Sequence, residues 1–244
     1  MLAVIGGTGF AEFSGLEDIQ VIEAETAWGM ARLQRGTLEG RPVLFLPRHG
    51  VPAVIPPHKI NYRANIQALA DNGATGIVSV TAVGSVNESL DVPQIVIPDQ
   101  IIDYTWGREQ TFFADRIHHI DFTWPYDMEM RAKLLEAAAA LRREQPEVPC
   151  KTTGVYGCTQ GPRLETAAEI RRLRRDGCDI VGMTAMPEAA LARELDLPYA
   201  GVSIVINAGA GMGGDAIHLD EIGPTIDQGM EWARWMVRFL AANI

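Results

Sequence analysis

Leu2-Ala3-Val4-Ile5-Gly6-Gly7-Thr8-Gly9 opens the chain, four consecutive apolar residues running into a glycine-rich turn. A short unbroken apolar run that stops at turn residues reads as a strand covered on both faces, as the strands of an α/β sheet are. The same pattern returns at Val43 to Pro47, Ile77 to Val80, Ile180 to Met183 and Tyr199 to Ile206. Helical periodicities lie between these runs. Ile66, Leu69 and Ala70 share a face after Pro57 and stop at Asn72-Gly73, and Leu134, Leu135, Ala138 and Leu141 are closed off before Pro146. Ile170 and Leu173 mark a helix ending at Gly177, with further helices at Ala189 to Leu195 and Ile226 to Leu240. Strand and helix alternate without linker composition or internal repeat, which predicts one α/β domain over residues 1–244.

Composition narrows the function. No apolar run approaches the ~18 residues that span a bilayer, and the first residues lack a basic region with a cleavage site, so a cytoplasmic location and no membrane partner are expected. Cys150, Cys158 and Cys178 form neither an even set nor a CxxC pair, and read as small buried hydrophobes. A formal charge of -10 opposes extended contact with nucleic acid, which needs clustered lysine and arginine. It leaves room for a small phosphate ligand.

The chemistry-bearing residues gather where strands stop. Backbone N–H groups of Gly6 to Gly9 can form a nest for an anion, with the Thr8 hydroxyl as a further donor. A dinucleotide fingerprint would need a third glycine at position 12, where Glu12 stands, so an NAD site is disfavoured. Arg48-His49-Gly50 follows the strand ending at Pro47, which places a guanidinium fork and an imidazole where ligands bind in open α/β sheets. The competing reading is a surface charge beside a satisfied histidine. Thr81-Ala82-Val83-Gly84-Ser85 and Gly182-Met183-Thr184 also end strands in small hydroxyl residues. Each alone is an ordinary turn former; together with Gly6 to Gly9 and Arg48 they point to one shared anion site. Between Asp103 and Asp127 the chain carries Tyr104, Trp106, Phe112, Phe113, Phe122, Trp124 and Tyr126 with little periodicity, which suits a functional loop or partner contact as well as plain packing.

Taken in order, Gly6-Gly7-Thr8-Gly9, Arg48-His49-Gly50, Asn61-Tyr62-Arg63-Ala64-Asn65, Gly161-Pro162-Arg163-Leu164-Glu165-Thr166 and Gly182-Met183-Thr184 through Pro187-Glu188 resemble the motifs of the trimeric purine nucleoside phosphorylase and methylthioadenosine phosphorylase family. The resemblance covers nearly the whole chain. It implies a single α/β domain around a mixed, partly barrel-like sheet flanked by helices, a homotrimer, no metal and no organic cofactor, with inorganic phosphate as co-substrate. By that resemblance Thr8, Arg48, His49, Thr81 and Thr184 hold phosphate. Ala82, Val83, Gly84, Met183, Asn207, Ala208 and Gly209 line the nucleoside pocket, and Asn207 is the catalytic donor to the departing purine. Adjacent His118 and His119 lack accompanying carboxylates at metal-ligand spacing. His119 matches a family position that reaches into a neighbouring protomer's pocket.

Glu165 and Asn207 resemble the pair that reads 6-oxopurines, where the methylthioadenosine enzymes have serine and aspartate. Glu165 would accept the N1–H of hypoxanthine and face the bare N1 of adenine lone pair to lone pair, a mismatch worth up to about 10⁴ in a site built for the hydrogen. Without the resemblance, Glu165 reads equally as a residue at a helix amino terminus, and Asn207 as turn chemistry before Ala208-Gly209. Aligning His218-Leu219-Asp220-Glu221-Ile222 puts Leu219 where inosine and guanosine phosphorylases carry a histidine for the 5′-hydroxyl. An apolar wall there suits a methylthio group. A one-residue shift puts His218 in that place and makes inosine the substrate.

The pattern thus resembles the S-methyl-5′-thioinosine phosphorylases, and the reaction it implies is phosphorolysis of S-methyl-5′-thioinosine to hypoxanthine and 5-methylthioribose 1-phosphate. The rivals are an inosine/guanosine phosphorylase, a methylthioadenosine phosphorylase and, outside catalysis, a nucleotide-binding protein that reuses Gly6 to Gly9.

Overall fold

The structure, a computed structural model, describes residues 1–10, 13–212, 217–218 and 221–244. In chain order its elements are β1 (Leu2–Gly6), β2 (Glu17–Thr26), β3 (Gly29–Leu38), β4 (Arg41–Pro47), α1 (Tyr62–Asp71), β5 (Gly76–Ser85), β6 (Gln94–Val96) and β7 (Gln100–Asp103). There follow α2 (Met128–Glu144), β8 (Cys150–Lys151), β9 (Val155–Cys158), α3 (Ala167–Arg175), β10 (Ile180–Gly182), α4 (Ala185–Glu194), β11 (Tyr199–Ala208) and α5 (Gly223–Ala242).

All the strands belong to one mixed sheet that forks at β5. Along one edge β5 pairs in parallel with β1 over Gly76 to Ser79 and then antiparallel with β10 at Gly84 and Ser85. Along the other it pairs in parallel with β11 from Ile77 to Ser85. The two arms meet again. β11 continues through β6, and β10 continues through β9 to β7. The β6–β8 and β7–β9 pairings are joined by Ile97 N–H donating to Lys151 C=O (2.9 Å) and Asp99 N–H to Gly154 C=O (3.0 Å). These links close a ring through β5, β11, β6–β7, β9 and β10, which is the expected partly barrel-like sheet.

Helices cover both faces. Ala3 and Ile5 point with Leu44, Leu46 and Ile77 toward α1 and α4, while Leu2 and Val4 point with Val43, Phe45 and Val78 toward α2 and α5. This two-sided burial is why β1 and β4 read as continuous apolar runs. The helix ends follow local chemistry. The Asp127 carboxylate accepts from Met130 N–H at the start of α2, and Thr166 forms a capping box with Glu169 at the start of α3.

The five predicted helices and five predicted strands are present, but the strand expected to stop at Val80 runs on as β5 to Ser85, so Thr81 to Ser85 lie inside it and not after its end. The β2–β3 hairpin is an addition. β2 carries Glu17, Asp18, Gln20, Glu23 and Glu25 and is exposed along most of its length, so no apolar run announces it. Residues 104 to 127 contain no helix or strand, as their lack of periodicity suggested. Arg108 ties that segment down, its guanidinium donating to the carbonyls of Thr159, Gln160, Met183 and Met186 and to the Tyr62 hydroxyl.

Candidate active site

Between the last β1 partner on β5, Ser79, and the first β10 partner, Gly84, one edge of β5 has no strand beside it. A cavity of about 230 Å³ opens at this gap. It is a topological switch point, where neighbouring chains diverge and leave room for a ligand. Thr81, Ala82, Val83 and Gly84 line it from β5; Gly7 and Thr8 from the turn after β1; Arg48 and His49 from the end of β4. Gly182, Met183 and Thr184 enter after β10, Asn207 and Gly209 at the end of β11, and Glu165 from the segment before α3. Sequence-predicted residues from six segments thus share one space.

Ala208 does not line that cavity. It borders an adjoining one of about 280 Å³, together with Asn207, Gly209, Ile217, His218 and Ile222. His118 and His119 are exposed, and neither lines the cavity. Leu219 lies outside the described residues. Residues that sequence reasoning missed include Ile206, Ile217 and Ile222, which add apolar surface to the cavity wall. Ile206 could have been read from its position beside Asn207; the other two sit in an aperiodic segment with no signal to place them.

Asn207 reaches the cavity because β11 slips. Val205 pairs with Val83 but Asn207 pairs with Gly84, so Ile206 is an extra residue in the ladder. Such a bulge re-aims the side chain that follows it, and Ile206 and Asn207 both face the cavity as a result. One Asn207 amide N–H donates to Ala208 C=O (2.8 Å), which leaves one N–H and the amide oxygen for a ligand. Glu165 precedes the Thr166 cap, so it takes no part in capping α3. Its Oε1 accepts from the Thr159 hydroxyl (2.6 Å), and Oε2 remains as an acceptor.

Arg48 departs from the expected open fork. It is 1% exposed, and its Nε and NH2 donate to Glu188 Oε1 and Oε2 (2.7 and 3.0 Å). NH2 also donates to Ser79 Oγ (2.6 Å), and NH1 donates to Val80 C=O (3.0 Å) in the unpaired stretch of β5. Burying a guanidinium demands a partner charge, and Glu188, itself 2% exposed, supplies it. Removing one member of a buried pair costs about 3–5 kcal/mol. Four of the five donors are spent on the protein, so Arg48 has one NH1 hydrogen left for an anion.

His49 is half-buried and its Nδ1 lies 2.8 Å from Ile55 C=O. A carbonyl only accepts, so Nδ1 carries the proton and the neutral ring keeps its lone pair on Nε2. Burial and then the nearby Arg48 charge lower its pKa below the ordinary histidine value. Thr81 Oγ1 and the buried Ser203 hydroxyl lie 2.9 Å apart. Thr184 stands at the N-cap of α4 without making a cap bond, which leaves its hydroxyl for a ligand. The assembly offers hydroxyls, one guanidinium hydrogen and a convertible imidazole beside a carboxylate and an amide. That set can hold an oxyanion next to a planar heterocycle.

The sequence profile of the Phosphorylase superfamily matches residues 1–237. A probable S-methyl-5′-thioinosine phosphorylase of Pseudomonas syringae pv. tomato is 48% identical over 233 residues, covering 93% of each chain. A 6-oxopurine nucleoside phosphorylase of Pyrococcus furiosus is 44% identical over 229 residues, 91% of this chain and 84% of that one. Among solved structures, methylthioadenosine phosphorylase from Schistosoma mansoni in complex with adenine superposes with a TM-score of 0.93 at 30% identity, covering 99% of this chain and 90% of that one. Shared sequence over nearly the full length, a shared sheet and a cavity at its switch point agree: this chain belongs to the phosphorylase superfamily.

Proposed function

We propose that the protein catalyses phosphorolysis of S-methyl-5′-thioinosine, releasing hypoxanthine and 5-methylthioribose 1-phosphate. The observation that carries this reading is the single cavity that joins an oxyanion cradle (Thr8, Arg48, His49, Thr81, Thr184) to the base-reading pair Glu165 and Asn207. Breaking a glycosidic bond builds positive charge on the ribose. A phosphate held against that carbon stabilises the charge and supplies the attacking oxygen, so most of the rate comes from positioning and electrostatics. The purine departs as its N7 gains a proton or hydrogen bond, for which the free Asn207 N–H is available. Glu165, held by Thr159 and with Oε2 unspent, accepts N1–H of a 6-oxopurine.

The apolar 5′ end rests on residues beside Leu219. Ile206, Ile217 and Ile222 line the cavity and give a methylthio group apolar surface. At ~25 cal/mol per Å² this burial favours sulfur and methyl over a hydroxyl. His218, exposed and bordering the adjoining cavity, is the observation that keeps inosine as the second reading. Relatives named for thioinosine and for 6-oxopurine nucleosides support a 6-oxopurine base in either case. Phosphate is the one co-substrate this chemistry calls for; no metal or organic cofactor enters it. Exposed Trp106, Ile117 and Trp124 on the 104 to 127 segment are apolar surface that a homotrimer would cover. No described helix is long and apolar enough to cross a membrane.

Free base released from methylthioinosine, methylthioadenosine, inosine and guanosine, each with and without phosphate, tests the assignment. Phosphate-dependent cleavage fastest on methylthioinosine is expected; preference for inosine would move the 5′ contact to His218. The double variant Asn207→Asp, Glu165→Ser should raise the ratio of kcat/KM for methylthioadenosine over methylthioinosine by at least tenfold, and an unchanged ratio would refute the base-reading pair. The lowered His49 pKa also fixes a sign. The cationic ring is the form that both donates from Nε2 and attracts a dianion, and the lowered pKa confines that form to the acid side, so KM for phosphate should climb as pH rises through the His49 pKa. His49→Gln, whose amide donates without titrating, should flatten that climb. Light scattering on the purified protein should give three times the 26.6 kDa chain mass; a monomer would remove the trimer.

A further inference from the structure

We propose that Glu188 is a positioning residue for phosphate: by clamping Arg48 it leaves one guanidinium hydrogen, on NH1, to meet the anion. The proposal rests on the phosphorolytic reading of the cavity and adds a residue that does not itself line it. Glu188 sits on α4, behind the cavity wall, and its carboxylate accepts four hydrogen bonds. Oε1 accepts from Arg48 Nε, while Oε2 accepts from Arg48 NH2, Ser79 Oγ (3.2 Å) and Tyr199 OH (3.0 Å). These donors come from the residue after β4, from β5 and from β11, so one carboxylate joins three parts of the sheet to the helix.

The clamp settles where the guanidinium plane lies. A carboxylate gripping Nε and NH2 in parallel fixes a planar fork in both position and tilt. The remaining nitrogen, NH1, is then held against Val80 C=O on one side and Gly7 on the other. A Cβ built on Gly7 would lie 2.8 Å from NH1, so the glycine turn is bare at the place where the guanidinium approaches it. Gly7 and Arg48 both line the cavity. Without Glu188 the side chain has no fixed tilt and the NH1 hydrogen no fixed direction. Tyr199 and Ser79 hold the clamp: both are buried, and each spends its hydroxyl proton on Oε2.

The pair also sets the charge an incoming phosphate meets. Arg48 arrives already neutralised, so the anion is held by directed hydrogen bonds more than by net charge, and orientation matters more than the presence of a cation. A merely structural Glu188 would change folding and disturb nucleoside and phosphate alike. A positioning Glu188 separates the two.

Steady-state kinetics of Glu188→Gln, Tyr199→Phe and Ser79→Ala, with methylthioinosine and phosphate varied independently, test this. Glu188→Gln keeps the shape but sets an amide N–H against an Arg48 N–H, and should raise KM for phosphate at least tenfold while KM for the nucleoside stays within about twofold. Tyr199→Phe removes one bond to Glu188, and Ser79→Ala removes one to Glu188 and one from Arg48 NH2, with the ion pair itself kept in both; each should raise KM for phosphate a few-fold in the same direction, and they decide the matter if Glu188→Gln does not fold. Protection of each variant against heating by inorganic phosphate alone should weaken in parallel. Unchanged or improved phosphate KM in the folded variants, or equal changes in both KM values, would overturn the proposal. Phosphate-independent cleavage by the unmodified enzyme would instead refute the phosphorolytic reading beneath it.

Discussion

β5 is flanked by three strands, and a ten-residue strand can be shared that way only if two of them divide one of its edges. β1 takes the first part of that edge and β10 the last, in opposite directions. The backbone between them, Val80 to Val83, therefore has no ladder partner on that side. Buried backbone carbonyls need a donor from somewhere, and Arg48 provides one to Val80. The cavity, the burial of Arg48 and the need for Glu188 all follow from that division of one strand edge.

The same constraint explains why the chemistry is distributed as it is. Each strand that ends at the gap delivers its following turn to the cavity, so the contributions come from segments far apart in sequence. None of these segments carries a strong motif of its own. Their specificity lies in convergence, which a sheet closed through β6–β7 and β9 makes rigid. Rigid placement suits a reaction whose barrier is lowered mainly by holding an anion and a leaving group at fixed separation. Arg108 extends that rigidity to an otherwise irregular segment by meeting carbonyls of the turns after β9 and β10.

Charge is handled sparingly at the site. The guanidinium that lines the cavity is paired, the histidine pKa is lowered by burial and by Arg48, and several of the remaining anion donors are hydroxyls. An anion bound by such groups is oriented well and gripped modestly, which fits a co-substrate that must react and leave as product. A cradle of unpaired cations would bind phosphate more tightly in the ground state without favouring the transition state.

The alternation of apolar runs and helical periods determined the α/β class, because strands covered on both faces must be apolar at every position, as Leu2 to Ile5 and Val43 to Leu46 are. Thr8, Arg48, His49 and Thr184 were legible for a related reason: turn chemistry after buried strands is local, and local chemistry survives in one dimension; Thr81 lies inside β5 and reaches the cavity because that strand's edge is unpaired there. The β2–β3 hairpin escaped notice because exposed strands carry no obligatory pattern. Only the tertiary structure decided the direction in which Asn207 faces, since a bulge depends on register with β5, and register is a property of two strands. Only it revealed Glu188 and Ser79 as partners of Arg48, and Tyr199 as a partner of Glu188. Those residues lie 140, 31 and 151 positions from Arg48 in the chain, and what joins them is the free-energy cost of burying a charge, which no spacing in the sequence records.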